Sequence, residues 1–377
     1  MTLAPLSPDF LRQRTADLEQ WFLSLLPRLD AGSVPTSMTT STAASLRPVS
    51  GDASFRRYFR GVSGQRTWIL VDAPPERENS KPFIDVASLL SAGGVAAPVI
   101  VAADLERGFM CLEDFGDTVL WTPLDAARRD SAQQPDATTL YQLAFDELLL
   151  IQRCDAAPLP PYDDALLLRE MRLFTEWFCG GLMQYALDDG EHAMLEAVYG
   201  FLSRAVRAQP QVFVHRDYHS RNLMYRPSRR LGVIDFQDAV RGPVTYDLVS
   251  LLKDCYIEWP RAQVNAWALD YAGQAQRAGI VGNVDAAAFL RAFDLMGAQR
   301  HLKVLGIFSR LWLRDGKRGY LRDIPLTMRY LVTVLPEHPE LAEFARWLDA
   351  RVLPQLDAAL ARANAAADAA AAANASA

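Results

Sequence analysis

The sequence predicts an α+β protein of two lobes, a small N-terminal β-sheet lobe followed by a larger, mostly helical C-terminal lobe. Three observations carry this. Short extended candidates separated by turn residues fill the first third of the chain. Stretches with helical apolar spacing dominate from residue 136 onward. Between them, the run from Cys111 to Asp117 reads as a connector. The 377 residues are 50% hydrophobic and 22% charged, which suits two ordinary domains and not a disordered chain. The expected divisions are 1–113, a sheet lobe with a leading helix, 114–356, a helical lobe, and 357–377, an alanine-rich tail.

Taken in order, Asp9–Leu29 reads as an amphipathic helix, with Leu11, Leu18, Trp21, Phe22, Leu25 and Leu26 on one face. Gly32 to Ser45 is Ser/Thr-rich and reads as a loop. Residues 46–50, 55–61 and 67–73 are short strands, followed by a helix over 80–90 and two further strands over 98–103 and 108–113. Helical patterns then cover 136–153, 163–186, 189–208, 247–257, 261–278, 285–306 and 338–360. One strand-like stretch, Val212 to Asp235, interrupts them. From Asp357 the chain is mostly alanine with little to pack, which predicts fraying or disorder.

Composition excludes several functions. A net charge of −6 supplies no field for nucleic acid or an anionic membrane. No apolar run is long enough to span a bilayer, and no signal pattern opens the chain. The four cysteines, Cys111, Cys154, Cys179 and Cys255, form no C-x-x-C pair and suggest a reducing cytoplasm. No obligate protein partner is evident. Only Lys81, Lys253, Lys303 and Lys317 are lysines, so few are available for catalysis.

The stretch from Val212 to Asp247 carries the chemistry. Asp217 follows VFVHR, Asn222 precedes LMY and Asp235 follows LGVI, so three oxygen-bearing side chains stand at the ends of short strands. Two such oxygens suit Mg²⁺, and the third group can take a proton. Singly, these residues are turn formers and a strand end. Together, His215-Arg216-Asp217, four residues, Asn222, and then Ile234-Asp235-Phe236 match the catalytic-loop and metal-binding spacing of protein kinases.

No activation segment follows; Gly242-Pro243-Val244-Thr245-Tyr246-Asp247 comes at once. In this the chain resembles the aminoglycoside phosphotransferase and choline kinase superfamily, from the Ser50 loop to about Leu313. The runs YHSRNLMY, GVIDFQDAVRGPVTYDLVSLLKDCYI and QRHLKVLGIFSRL resemble most the amino-sugar kinases of bacterial cell-wall recycling. The resemblance implies a protein-kinase-like fold and ATP with Mg²⁺ as donor. It also implies a small amino-sugar acceptor, N-acetylmuramate or N-acetylglucosamine, phosphorylated at its C1 hydroxyl. Asp217 is then the catalytic base, and Asn222 and Asp235 hold the metal. His215 organises the loop more than it does chemistry, and Asp247 holds the loop or caps the next helix.

On the donor side, the resemblance places the hairpin Ser50, Gly51, Asp52, Ala53 and Ser54 over the phosphates, although one glycine is a weak signal. The third strand should carry a lysine, but Thr67 to Ala73 has none. Arg57 or Arg60 could supply the charge; three apart on a strand, they point to opposite faces, so at most one meets the nucleotide. The connector backbone at Glu113 and Phe115 would meet the adenine edge. On the acceptor side the candidates are Arg221 and His219 in the loop, with Arg300 and Lys303 on one helix face.

Three alternatives stand beside this reading. Another small-molecule kinase of the fold, acting on an aminoglycoside, choline or homoserine, would want a more acidic pocket. An inactive nucleotide-binding module would explain the missing lysine but has no need of all three of Asp217, Asn222 and Asp235. A metal hydrolase built on His215, Asp217 and His219 would need further ligands, and His192, His301 and His338 form no second cluster.

Overall fold

The computed structural model describes residues 7–30, 45–49, 55–130 and 132–375. The hairpin residues Ser50, Gly51, Asp52 and Ser54 lie outside them. The chain divides into two compact units, one reaching to Thr118 and including Met224–Asp238, the other holding Val119–Leu223 and everything from Ala239.

The first unit opens with helix α1, Pro8–Asp30. Strands β1 (Ser45–Val49), β2 (Arg57–Ser63) and β3 (Arg66–Asp72) follow, then helix α2 (Lys81–Ala92) and strands β4 (Ile100–Asp104) and β5 (Phe109–Glu113). The sheet order is β1-β2-β3-β5-β4, and every neighbouring pair is antiparallel. Leu18 and Phe22 of α1 bury themselves against Phe59, Trp68, Leu70, Phe109 and Cys111 of the sheet. The helical and two-residue periods of the sequence thus meet in one core. Asp72, fully buried at the end of β3, is where α1 is tied to the sheet. Arg14 Nε donates to its Oδ1 at 2.7 Å and Arg57 Nε to its Oδ2 at 2.9 Å.

The sequence assigned all of 114–356 to the helical lobe, but Met224–Asp238 groups with the sheet unit. The bonds explain it. Tyr225 N–H donates to Thr118 C=O at 2.7 Å and Val233 N–H to Ala96 C=O at 2.8 Å. Phe236 packs on Phe83, ring centroids 4.8 Å apart.

The second unit contains α3 (Trp121–Arg129), α4 (Ala137–Arg153), α5 (Asp164–Leu173), α6 (Asp189–Arg207), α7 (Tyr246–Leu252) and α8 (Arg261–Arg277). The long α9 (Ala286–Leu313) follows, then α10 (Ile324–Val334), α11 (Ala342–Trp347) and α12 (Leu353–Ala375). Asp136, Asp163, Asp188 and Asp285 start α4, α5, α6 and α9, each accepting the N–H three residues on. The 163–186 helix of the sequence reading changes to π geometry over Phe174–Leu182. Helices α3 and α10 were not foreseen.

The tail overturns an expectation. It is helical to Ala375, and Leu356, Ala359, Leu360, Ala363 and Ala367 are buried. Recurring at helical spacing, these leucines and alanines form one stripe. Arg362 Nη2 donates to Met183 C=O at 3.4 Å, and Arg318 pairs with Asp368. Among the described residues no helix is long and apolar enough to cross a membrane.

Helix α9 is buried along most of its length and carries Arg300 and Lys303. Its seat depends on Gly306, where a Cβ would lie 2.4 Å from the Leu173 carbonyl carbon. Replacing Gly306 with Ala forces α9 off α5 and is expected to cost about 1–3 kcal/mol in urea unfolding.

Candidate active site

Strand Gln211–Val214 buries Val212, Phe213 and Val214 and pairs antiparallel with Val240–Pro243. It delivers the chain to His215, Arg216 and Asp217. Arg216 sits at φ +76°, a left-handed conformation that side chains other than glycine rarely adopt. Asp247, fully buried at the start of α7, holds this turn with both carboxylate oxygens. Oδ2 accepts the His215 N–H at 2.7 Å and Oδ1 the Arg216 N–H at 3.0 Å. This is the loop-holding role foreseen for Asp247. Burial pushes its carboxyl up to about 7, the two N–H bonds opposing the rise and Asp217 adding to it.

The rest of the loop is fastened in the same manner. His215 is buried, and its Nδ1 accepts the Asp217 N–H at 3.3 Å, so the ring organises the loop. Tyr218 Oη donates to Ala144 C=O on α4 at 2.7 Å. Ser220 donates both its N–H, at 3.0 Å, and its hydroxyl to the buried Asp254. Asn222 Nδ2 donates to Asp217 C=O at 3.0 Å, which closes the loop on the residue foreseen as the base.

Asp217 is half-buried. Burial alone would raise its carboxyl; Lys303, His219 and Arg216 outweigh that, and it ionises below the ordinary carboxylate range. Glu170 on α5, which no sequence motif indicated, is buried beside the same cations. Burial would raise its carboxyl too, and Lys303 and Arg216 bring it below the ordinary range.

The four acceptor candidates separate. Lys303 Nζ lies 3.2 Å from Glu170 and donates to Tyr246 Oη at 2.9 Å, so its charge is already compensated. Lys303, read from the sequence as an acceptor ligand, is thus paired within the helical unit. Arg300, three residues away, is 5% exposed and has no carboxylate within ion-pair distance among the described residues. Its Nη1 reaches Cys255 Sγ at 3.6 Å, and its Nε has no hydrogen-bond partner. Arg221 stacks 3.6 Å over the Tyr256 ring. His219 meets the same ring edge-on, centroids 5.4 Å apart, and burial lowers its pKa.

In the sheet unit, both arginines assigned to the nucleotide are engaged within the unit. Arg57 is spent on Asp72. Arg60 Nε donates to Asp114 Oδ2 at 2.6 Å and Nη1 to Asp117 Oδ2 at 2.9 Å, which ties the connector to β2. Both guanidiniums, read from the sequence as possible stand-ins for the missing lysine, are thus ion-paired within the sheet unit. Glu113 N–H donates to Val99 C=O at 2.9 Å, so it serves the sheet. Phe115 is buried beneath the Arg226 guanidinium, 4.1 Å from its ring centroid. It lies so close to Gly232 that a Cβ there would fall 2.2 Å from its ring. Asp235 has φ +63°, and its Oδ1 accepts from Gln237 Nε2 at 2.8 Å.

Replacing Asp247 with Asn tests the loop anchor. Asparagine offers one acceptor oxygen where two N–H groups point, and its amide faces the second. The change is expected to cost about 2 kcal/mol in urea unfolding and to lower kcat by roughly tenfold or more through loss of loop geometry.

Residues 45–290 match the family model described as phosphotransferase enzyme family. The chain is 46% identical over 334 residues to the N-acetylmuramate/N-acetylglucosamine kinase of Pseudomonas putida, covering 88% of this chain and 94% of that protein. It is 44% identical over 347 residues to the protein of the same name from Pseudomonas aeruginosa, covering 91% and 97%. Among solved structures, an ethanolamine kinase from Plasmodium vivax superposes with a TM-score of 0.58 at 12% identity, over 90% of this chain and 93% of that one. The α+β, protein-kinase-like fold expected from the sequence is therefore the observed one. The family match, the identity to these two kinases and the loop built around Asp217 agree: the chain belongs to the phosphotransferase enzyme family.

Proposed function

We propose that this phosphotransferase moves the γ-phosphoryl group of ATP onto the C1 hydroxyl of N-acetylmuramate and N-acetylglucosamine, giving sugar 1-phosphates in the cytoplasm for cell-wall recycling. The observation that carries the reading is the Asp217 loop: a carboxylate kept ionised by neighbouring cations and fixed in place by a closed hydrogen-bonded turn. The names of the curated relatives support the acceptor class.

Asp217 hydrogen-bonds the anomeric hydroxyl and aims its oxygen at the γ-phosphorus. The new O–P bond forms as the bond to the β-phosphate bridging oxygen breaks, and the hydroxyl proton passes to Asp217. Its lowered pKa makes it a weak base, so it orients the nucleophile and takes the proton late, as a loose transition state requires. Asn222 and Asp235 are the residues we assign to Mg²⁺. An amide oxygen and a carboxylate form an all-oxygen donor set, which fits a hard cation. Bound there, the ion would neutralise charge on the triphosphate.

On the acceptor side we assign Arg300 to the lactyl carboxylate of N-acetylmuramate. A buried guanidinium lacking a carboxylate partner is costly until an anion arrives. Arg221 and His219, gathered around Tyr256, are assigned to the sugar hydroxyl and N-acetyl groups.

A second reading, a nucleotide-binding module without turnover, draws on the chemistry of β3. The strand carries no lysine, and Arg57 and Arg60 are engaged elsewhere.

Phosphorus NMR with ATP and each sugar decides between them: a new C1 ester supports sugar phosphorylation, a C6 ester overturns the anomeric assignment, and no product favours the module. Asp217→Ala should lower kcat by about 10²–10⁴-fold while leaving MgATP affinity, measured by calorimetry, close to wild type. Arg300→Gln should raise KM for N-acetylmuramate by about 10- to 100-fold and leave N-acetylglucosamine within about threefold. Equal losses on both sugars would remove Arg300 from carboxylate recognition.

A further inference from the structure

Arg216 occupies an awkward place. Its backbone is left-handed at φ +76°, and its side chain is a long cation one residue from Asp217. Glycine would take this conformation without strain. A guanidinium so near a carboxylate also has an obvious partner in it, and an ion pair there would occupy the oxygens that must meet the acceptor. The structure shows another pairing.

The Arg216 guanidinium donates through Nη2 to Glu170, 6% exposed on α5 between the buried Leu167 and Met171. The same carboxylate accepts from Tyr162 Oη and lies 3.2 Å from Lys303 Nζ. Lys303 in turn donates to Tyr246 Oη at 2.9 Å, and Tyr246 precedes Asp247. Arg216 is thus held at both ends, its N–H by Asp247 and its guanidinium by Glu170. Glu170 is the carboxylate that pairs with both Arg216 and Lys303, and Asp217 lies within electrostatic reach of the same two cations. Removing the Glu170 charge strengthens their pull toward Asp217.

Resting on the phosphoryl-transfer reading of Asp217, we propose that Glu170 is a positioning residue for that base. It clamps Arg216 so that the left-handed turn is maintained and the guanidinium is kept off the Asp217 carboxylate. Glu170 touches no reacting atom; it acts through Arg216.

The test is a set of full-length variants, Glu170→Gln, Arg216→Gly, Arg216→Ala and the Glu170→Gln/Arg216→Gly double, assayed with ATP and N-acetylglucosamine. Glu170→Gln should lower kcat by about 10²-fold with KM for ATP and sugar within about threefold, the signature of a misplaced base. In the Arg216→Gly background, where no guanidinium needs holding and the backbone is relaxed, the same change should alter kcat by less than about threefold. If it costs the same factor in both backgrounds, Glu170 does not work through Arg216 and the proposal falls. Should Glu170→Gln fail to fold, the single variants at 216 decide: Arg216→Gly should exceed Arg216→Ala in kcat by about tenfold, and equal rates overturn the proposal. Wild-type transfer to the sugar is measured first. Its absence would fell the functional reading alone; the clamp is then read by amide hydrogen exchange over residues 215–217, which Glu170→Gln should accelerate and which an unchanged rate would refute.

Discussion

Two hydrogen bonds to one buried carboxylate set the geometry on which the catalytic loop rests. Asp247 takes the N–H groups of consecutive residues, His215 and Arg216, and so fixes a turn the backbone would not choose. Strain of this kind persists only where the surroundings over-determine it. Here they do: the acceptor is on α7, the guanidinium partner on α5, and the loop beyond is tied to α4 by Tyr218 and to Asp254 by Ser220. The position of Asp217 follows from these anchors more than from any bond of its own side chain.

Charge is distributed to the same end. A half-buried carboxylate in an apolar setting would hold its proton. Lys303, His219 and Arg216 prevent that for Asp217, and Glu170 prevents Lys303 and Arg216 from becoming uncompensated charges themselves. In the sheet unit the same logic has another result. Asp72 at the end of the third strand draws Arg14 and Arg57 to itself, so these cations fasten helix to sheet.

Much of this was legible because much of it is local. The change from two-residue to helical period marks the two halves, and the H-R-D-x₄-N spacing lies within one short loop. Asp247 was legible as a loop anchor through the family motif and not through nearness, since it stands about thirty residues beyond the N–H groups it holds. Pairings between distant residues left no such trace. Glu170 reads as one charge in the run LLLREMRLF, and its partners Arg216 and Lys303 stand far along the chain. Arg57 and Arg60 looked available because period two gives their direction but not the carboxylates awaiting them. The tail misled in the opposite sense: alanine offers little area per residue, yet a stripe of alanines lets a helix settle closely on its neighbours.

Anchoring the loop to interior acidic groups has one more consequence. Loops commonly loosen ahead of the elements they join. This one is held otherwise, since its ties to Asp247, Glu170, Ala144 and Asp254 end on groups inside the helical unit. Such anchoring couples the loop's melting to that of the scaffold beneath it.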